Sequence, residues 1–156
     1  MKVIEKKWKH QLPISLEGTW QFFSRPENLN EITPEDMEFN ILSDIKQMDM
    51  YEGMIIRYRI KPLLNIPMNW ITEITHIESH KYFIDEQRFG PYKFWHHQHH
   101  FEENEQGTLM TDHLHYALPL GPIGNLMDAL FINKQIDHIF AYRKKILTNN
   151  FNLVKA

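Results

Sequence analysis

The chain has 156 residues, 42% hydrophobic and 13% aromatic, a composition that supports a single domain over 1–156 with a real core and excludes disorder. Its net charge of −3 with histidine neutral offers no basic field for nucleic acid or an anionic membrane, although ten histidines make the charge less negative near pH 6. The absence of cysteine excludes disulfides, thiolate catalysis and zinc–thiolate sites.

Met1 to Lys9 is charged and carries no signal-peptide core, and no apolar run approaches about 18 residues, so the reading is cytoplasmic with no stable membrane insertion. Lys2 to Leu12 reads as an opening strand that Pro13 ends. Ser15 is a suitable N-cap for a short helix with Leu16, Trp20 and Phe23 at helical spacing, and Pro26 opens a second helical piece from Glu27 to Glu31. The pair has a helix-turn-helix shape, but Glu27, Glu31, Glu35 and Asp36 argue against DNA contact.

Alternation then predicts six strands, Met37 to Ile45, Met54 to Ile60, Met68 to Ile77, Lys81 to Arg88, Tyr92 to Glu103 and Thr108 to Leu118. Lys61 to Pro67, with two prolines, reads as a loop or bulge. With no long crossover helix between strands, the sheet should be antiparallel. After Gly124 neither Gly nor Pro recurs, and Pro122 to Phe151 reads as one amphipathic helix about 45 Å long. Its apolar stripe, Leu126, Leu130, Phe131, Ile136, Ile139 and Phe140, breaks by one residue between Phe131 and Ile136, which marks a bend or a swap to Ile132. The order predicts an α+β fold: a curved antiparallel sheet of about seven strands, two short helices after the first strand, and one long C-terminal helix across the concave face. The gap between sheet and helix is a natural apolar cavity.

Several local motifs point the same way. Leu16, Trp20, Phe22-Phe23, Arg25-Pro26-Glu27-Asn28-Leu29 and Ile32-Thr33-Pro34 stand near the start; Phe89-Gly90-Pro91-Tyr92, Trp95-His96-His97, Gly107-Thr108, Thr111-Asp112 and Tyr116 to Gly124 follow. With this element order, the whole chain resembles the START-like or SRPBCC superfamily, the helix-grip fold shared by lipid-transfer domains, plant pathogenesis-related allergens and polyketide cyclase/dehydrases. The resemblance implies a cavity for a small hydrophobic or amphipathic molecule, such as a lipid, isoprenoid, quinone or polyketide-like ring. It leaves open an enzyme of the polyketide cyclase/dehydrase kind, and it implies no cofactor.

Side-chain direction in the last hairpin follows from pairing Glu103 with Thr108. One face then carries Trp95, His97, His99, Phe101, Met110, Asp112, Leu114 and Tyr116, and as the more apolar face it should look inward. His99 lies opposite Asp112, a pair that either serves as a general base or ligand anchor, with Tyr116 as proton donor, or simply satisfies two buried polar groups. Met54, Ile56, Tyr58, Met68, Trp70 and Phe83 are the further lining candidates on the sheet, and Phe131, Ile139, Phe140 and Arg143 on the helix. Arg57, Arg59 and Arg88 read as outward. Leu118 to Gly124 reads as the hinge into the helix and a lip of the cavity mouth. The outer-face histidines His96, His100, His113 and His115 have the spacing of metal ligands, but no closely spaced acidic ligand completes a set, so they read as solvated and no metal site is assigned. A protein-interaction module would need an exposed apolar patch, which the sequence does not display. The oligomeric state stays open between monomer and weak dimer.

Overall fold

The computed structural model describes residues 2–61 and 66–152. Seven strands, β1 (Ile4–Leu12), β2 (Asn40–Ile41), β3 (Ile55–Ile60), β4 (Met68–Glu78), β5 (Tyr82–Phe89), β6 (Phe94–Asn104) and β7 (Gly107–Ala117), form one antiparallel sheet. Their order is β1-β7-β6-β5-β4-β3-β2, so the first strand closes against the last and every later neighbour is a hairpin partner. The expected register holds: Glu103 pairs with Thr108, and His99 with Asp112.

Between β1 and β2 come α1 (Leu16–Phe23) and two short 3-10 turns, Pro26–Asn30 and Glu35–Met37. The Ser15 hydroxyl caps α1 by accepting from the Gly18 amide at 3.2 Å. The strand expected from Met37 to Ile45 shrinks to Asn40–Ile41. Glu38 and Gln47 both adopt left-handed backbone, and the Leu42 and Ser43 amides both turn to the Arg57 carbonyl, so the ladder cannot run on. The loop expected at Lys61 to Pro67 falls mostly on 62–65, outside the described residues.

Two irregularities bend the sheet. Register shifts between Ile71 and Thr72 and between Ile74 and His76 mark bulges in the β4–β5 pairing. The second lets β4 present Trp70, Thr72 and Ile74 inward and then switch parity, so that Ile77 packs against the core as well.

The C-terminal helix is continuous but not uniform: α2 (Pro122–Met127) and α3 (Asn133–Asn152) are joined by a π turn, Asp128–Ile132. A π turn inserts one residue and rotates the stripe. Ile132, Ile136, Phe140, Arg143 and Leu147 are therefore the buried row, while Leu126, Leu130 and Phe131 are about half exposed. This corrects the expectation that Phe131 meets the sheet and supports the swap to Ile132. Together with Leu120 and Ile123, the three outward residues form an exposed apolar row that the sequence reading did not anticipate. Among the described residues no helix is long and apolar enough to cross a membrane.

Packing ties the long helix down at both ends. Trp8 of β1 stacks on Phe140 with ring centroids 3.7 Å apart, and Leu147 joins Trp20, Phe23, Phe83, Phe101 and Met110 under α1. At the β7 end of the helix, Tyr116 donates its hydroxyl to Asp128 at 2.6 Å.

Candidate functional site

Three apolar clusters meet without filling the space between them. One lies under α1, a second is built on β3 and β4, and the third joins β7 to the helix. Where they approach one another, sheet and helix enclose a cavity of about 140 Å³. Strand alternation decides its wall: β3 contributes Ile56 and Tyr58, β4 Trp70, Thr72 and Ile74, β5 Phe83 and Asp85, and β6 Trp95, His97 and His99. The helix adds Ile136, Ile139, Phe140 and Arg143, and the 3-10 turns and their flanks add Arg25, Asn28 and Met37. The Arg25 side chain is half exposed, so the cavity reaches solvent beside the first of these turns.

One side of the cavity is charged. Asp85 Oδ2 lies 2.9 Å from His99 Nε2 and 3.4 Å from His97 Nδ1, while Trp95 Nε1 donates to Asp85 Oδ1 at 3.3 Å. Behind the two imidazoles stands Asp112, with no exposed surface. His97 Nε2 donates to Asp112 Oδ1 at 3.0 Å, His99 Nδ1 is also 3.0 Å from that oxygen, and Arg143 Nη1 donates to it at 3.3 Å. His10 Nε2 is 3.8 Å from Asp112 Oδ2. The His99 ring is held further by stacking on Phe83, centroids 4.1 Å apart.

These contacts set the protonation chemistry. Burial opposes ionisation of Asp112, but the Arg143 charge and the histidine hydrogen bonds outweigh it and hold the carboxyl well below the ordinary range. Asp85 is lowered in the same way, burial being overcome by its bonds to His97 and His99. For His97 burial again works against charge, yet the bonds to Asp112 and Asp85 raise its pKa. Burial lowers that of His10. Two further donors, Trp70 Nε1 and Arg143 Nε, belong to cavity-lining residues and have no hydrogen-bond partner among the described residues.

The residues singled out from the sequence divide accordingly. Ile56, Tyr58, Trp70, Phe83, Trp95, His97, His99, Ile139, Phe140 and Arg143 line the cavity. Asp112 touches the lining histidines from behind. Met54, Phe101, Met110 and Leu114 are buried in the packed clusters and outside the wall, and Met68 lies at the start of β4 without reaching it. Tyr116 is fully buried, its hydroxyl taken up by Asp128, and Phe131 faces outward; neither reaches the cavity. The hinge Leu118 to Gly124 is likewise absent from the wall.

Asp85, Thr72 and His10 were missed. Asp85 follows Phe83 by two on the same strand, so the parity that turns Phe83 inward turns Asp85 inward too. His10 likewise shares the parity of Trp8 and Leu12.

On the outer face the histidines are less solvated than expected. His96 Nδ1 bonds Glu86 at 2.7 Å and continues through Gln98 to His100. Glu5 of β1, 2.7 Å from His113, completes an acidic-plus-two-histidine group with His115, which corrects the reading that no carboxylate stands near.

No family model matches the sequence, and no curated protein matches it. Solved structures do match over nearly the whole chain. The Thermus thermophilus protein TTHA0849 superposes with a TM-score of 0.70 at 15% identity, covering 99% of this chain and 100% of its own. Ara h 8.0201 gives 0.62 at 9% identity, covering 95% of this chain and 99% of its own. Ginseng major latex-like protein 151 from Panax ginseng gives 0.58 at 14% identity, covering 87% of this chain and 96% of its own. The fold is the START-like helix grip. In this helix grip the sheet supplies both apolar and charged walls, and the helix closes the cavity with Ile136, Ile139, Phe140 and Arg143.

Proposed function

We propose that the protein binds a small apolar or amphipathic molecule in the cavity between sheet and helix. The observation that carries this reading is the two-sided wall: aromatic and aliphatic side chains over most of the surface, and Asp85, His97, His99 and Arg143 on one side. Burial of apolar surface supplies the affinity, at about 25 cal/mol per Å². The unpartnered Trp70 Nε1 and Arg143 Nε favour a ligand that carries an acceptor oxygen at its polar end.

Size narrows the class. A cavity of about 140 Å³ suits a single ring or a short branched chain rather than a long acyl tail, since an apolar cavity of about 150 Å³ accommodates benzene. Among lipids, isoprenoids, quinones and polyketide-like rings, the compact ring compounds and the shortest isoprenoids fit best.

Catalysis of the cyclase/dehydrase kind is the second reading, favoured by one observation: two imidazoles between two carboxylates at the wall of an apolar cavity. His99 and Asp112 keep their places in that reading, as base and orienting partner. Tyr116 does not keep the role of proton donor, because Asp128 accepts its hydroxyl away from the cavity.

The test is native mass spectrometry of gently purified protein beside the same sample denatured, with thermal melting against a panel of ring compounds and short isoprenoids. A small-molecule adduct lost on denaturation, or a melting temperature that rises saturably with one compound class, supports binding. A bare chain mass together with an unmoved melting temperature across the panel overturns it.

A further inference from the structure

The charged wall contains an arrangement that small-molecule binding does not require. Asp85, His97 and His99 each offer one ligand atom within 4.8 Å of the others, and all three line the cavity. Asp85 Oδ2 stands 2.9 Å from His99 Nε2 and 3.4 Å from His97 Nδ1. Ligands about 2.1 Å from a common ion are about 3.0 to 3.4 Å from one another, so the His97–Asp85 separation already fits a coordination shell, and the His99–Asp85 pair, hydrogen-bonded at 2.9 Å, needs only a small outward shift to do so. The side chains of His97 and His99 are only 5% and 7% exposed, so the strands, rather than solvent, fix their rings.

We propose that Asp85, His97 and His99 form a mononuclear site for a divalent transition-metal ion, with its remaining coordination positions open to the cavity. The second nitrogen of each ring, His97 Nε2 and His99 Nδ1, lies 3.0 Å from the same oxygen, Asp112 Oδ1. With metal on the cavity side, Asp112 accepts both N–H groups and fixes both tautomers, the carboxylate–histidine–metal arrangement that orients such ligands. Arg143 anchors Asp112 in turn, and Trp95 holds the other oxygen of Asp85. With both imidazoles neutral, the group has two carboxylates against one guanidinium, a net negative charge that favours a cation. Two imidazole nitrogens and one carboxylate select zinc, iron(II), cobalt or nickel over calcium or magnesium. His99 Nδ1, buried and without an aligned hydrogen bond, gains its bond to Asp112 when the ring is drawn onto the metal.

The outer-face group Glu5, His113 and His115 is the rival for any metal the protein binds. Its glutamate is largely exposed, and it lies on the opposite side of β7 from the cavity. The site is independent of the small-molecule reading, because the test uses metal alone.

The experiment is titration of chelator-treated protein with Co²⁺, read by visible absorption and equilibrium dialysis, followed by displacement with Zn²⁺. It compares the wild type, Asp85→Asn, His99→Gln and the double variant His113→Ala/His115→Ala, each checked for fold by near-ultraviolet circular dichroism. The proposal expects one tight equivalent in the wild type, retained in the outer-face double variant and weakened about tenfold to a hundredfold or more in Asp85→Asn and His99→Gln. It is overturned if the wild type binds no stoichiometric equivalent, or if the double variant loses the equivalent. Should one inner variant fail to fold, the other decides: an equivalent it keeps undiminished overturns the proposal, and its loss there together with retention in the double variant supports it.

Discussion

Arg143 Nη1 lies 3.3 Å from Asp112 Oδ1, a contact between the long helix and the last strand from which solvent is almost wholly excluded. It joins the element that closes the cavity to the carboxylate that holds its histidines. Replacing Arg143 by Met leaves Asp112 buried beside histidines alone, and a broken buried pair typically costs about 3–5 kcal/mol. Urea unfolding should show a loss of that order, and Asp112→Asn in the same background should recover part of it.

Acid sensitivity follows from the same carboxylate. His10, His97, His99 and Arg143 face Asp112, and its folded pKa is well below the ordinary 3.8. A lowered carboxylate contributes stability that is complete above the unfolded value and fades as pH falls toward the folded one. Asp85 acts in the same direction. His10, pushed below 6.5 by burial, adds a further loss as pH drops under 6.5, whereas the raised His97 contributes fully below 6.5 and loses that contribution as pH rises through its folded value. Chemical unfolding from about pH 7 to about pH 3 should therefore show a stability fall that steepens below about 4. In Arg143→Met the fall should be shallower there, because Asp112 has lost the charge that lowers its pKa.

The π turn makes a paired prediction about neighbours. Ile132 is 6% exposed and Phe131 48%. Ile132→Ala should cost about 2–4 kcal/mol, while Phe131→Ala should stay within about 1 kcal/mol, despite removing the larger side chain. Equal costs in denaturant melts would contradict the assigned rotation of the helix.

Tyr116→Phe removes a hydroxyl that bonds Asp128 at 2.6 Å and leaves that buried carboxylate without its donor. Stability should fall by about 1–3 kcal/mol. Ligand affinity, read by titration of the folded variant, should be unchanged, because Tyr116 lies outside the cavity wall. A selective loss of binding with stability intact would return Tyr116 to the site.

Much of this architecture was legible because strand parity and helix spacing are local. The hairpin register, the Ser15 cap, the antiparallel order and the inward row Trp95, His97 and His99 all follow from period-two alternation and turn chemistry. The break at Phe131 to Ile136 even carried the signature of the π turn, though spacing alone does not say on which side the stripe resumes. What stayed hidden is what comes from distant strands. Glu5 meets His113 across 108 positions of sequence, and Asp85 meets His97 and His99 only once β5 and β6 are side by side. Which inward residues line a void and which pack solidly, as Phe101 and Met110 do, depends on how three clusters fit together, and no periodicity encodes that.

Two of the four tryptophans, Trp70 and Trp95, stand in the cavity wall, where a bound molecule would alter their emission. The most direct measurement is a tryptophan-fluorescence titration with compact ring compounds, run on the wild type and on Ile56→Trp, which fills the cavity. The wild type should give a saturable, one-to-one change that is weakened at least tenfold in Ile56→Trp while the variant remains folded. An equal response in both proteins, or none from any compound in the wild type, would contradict binding in the cavity.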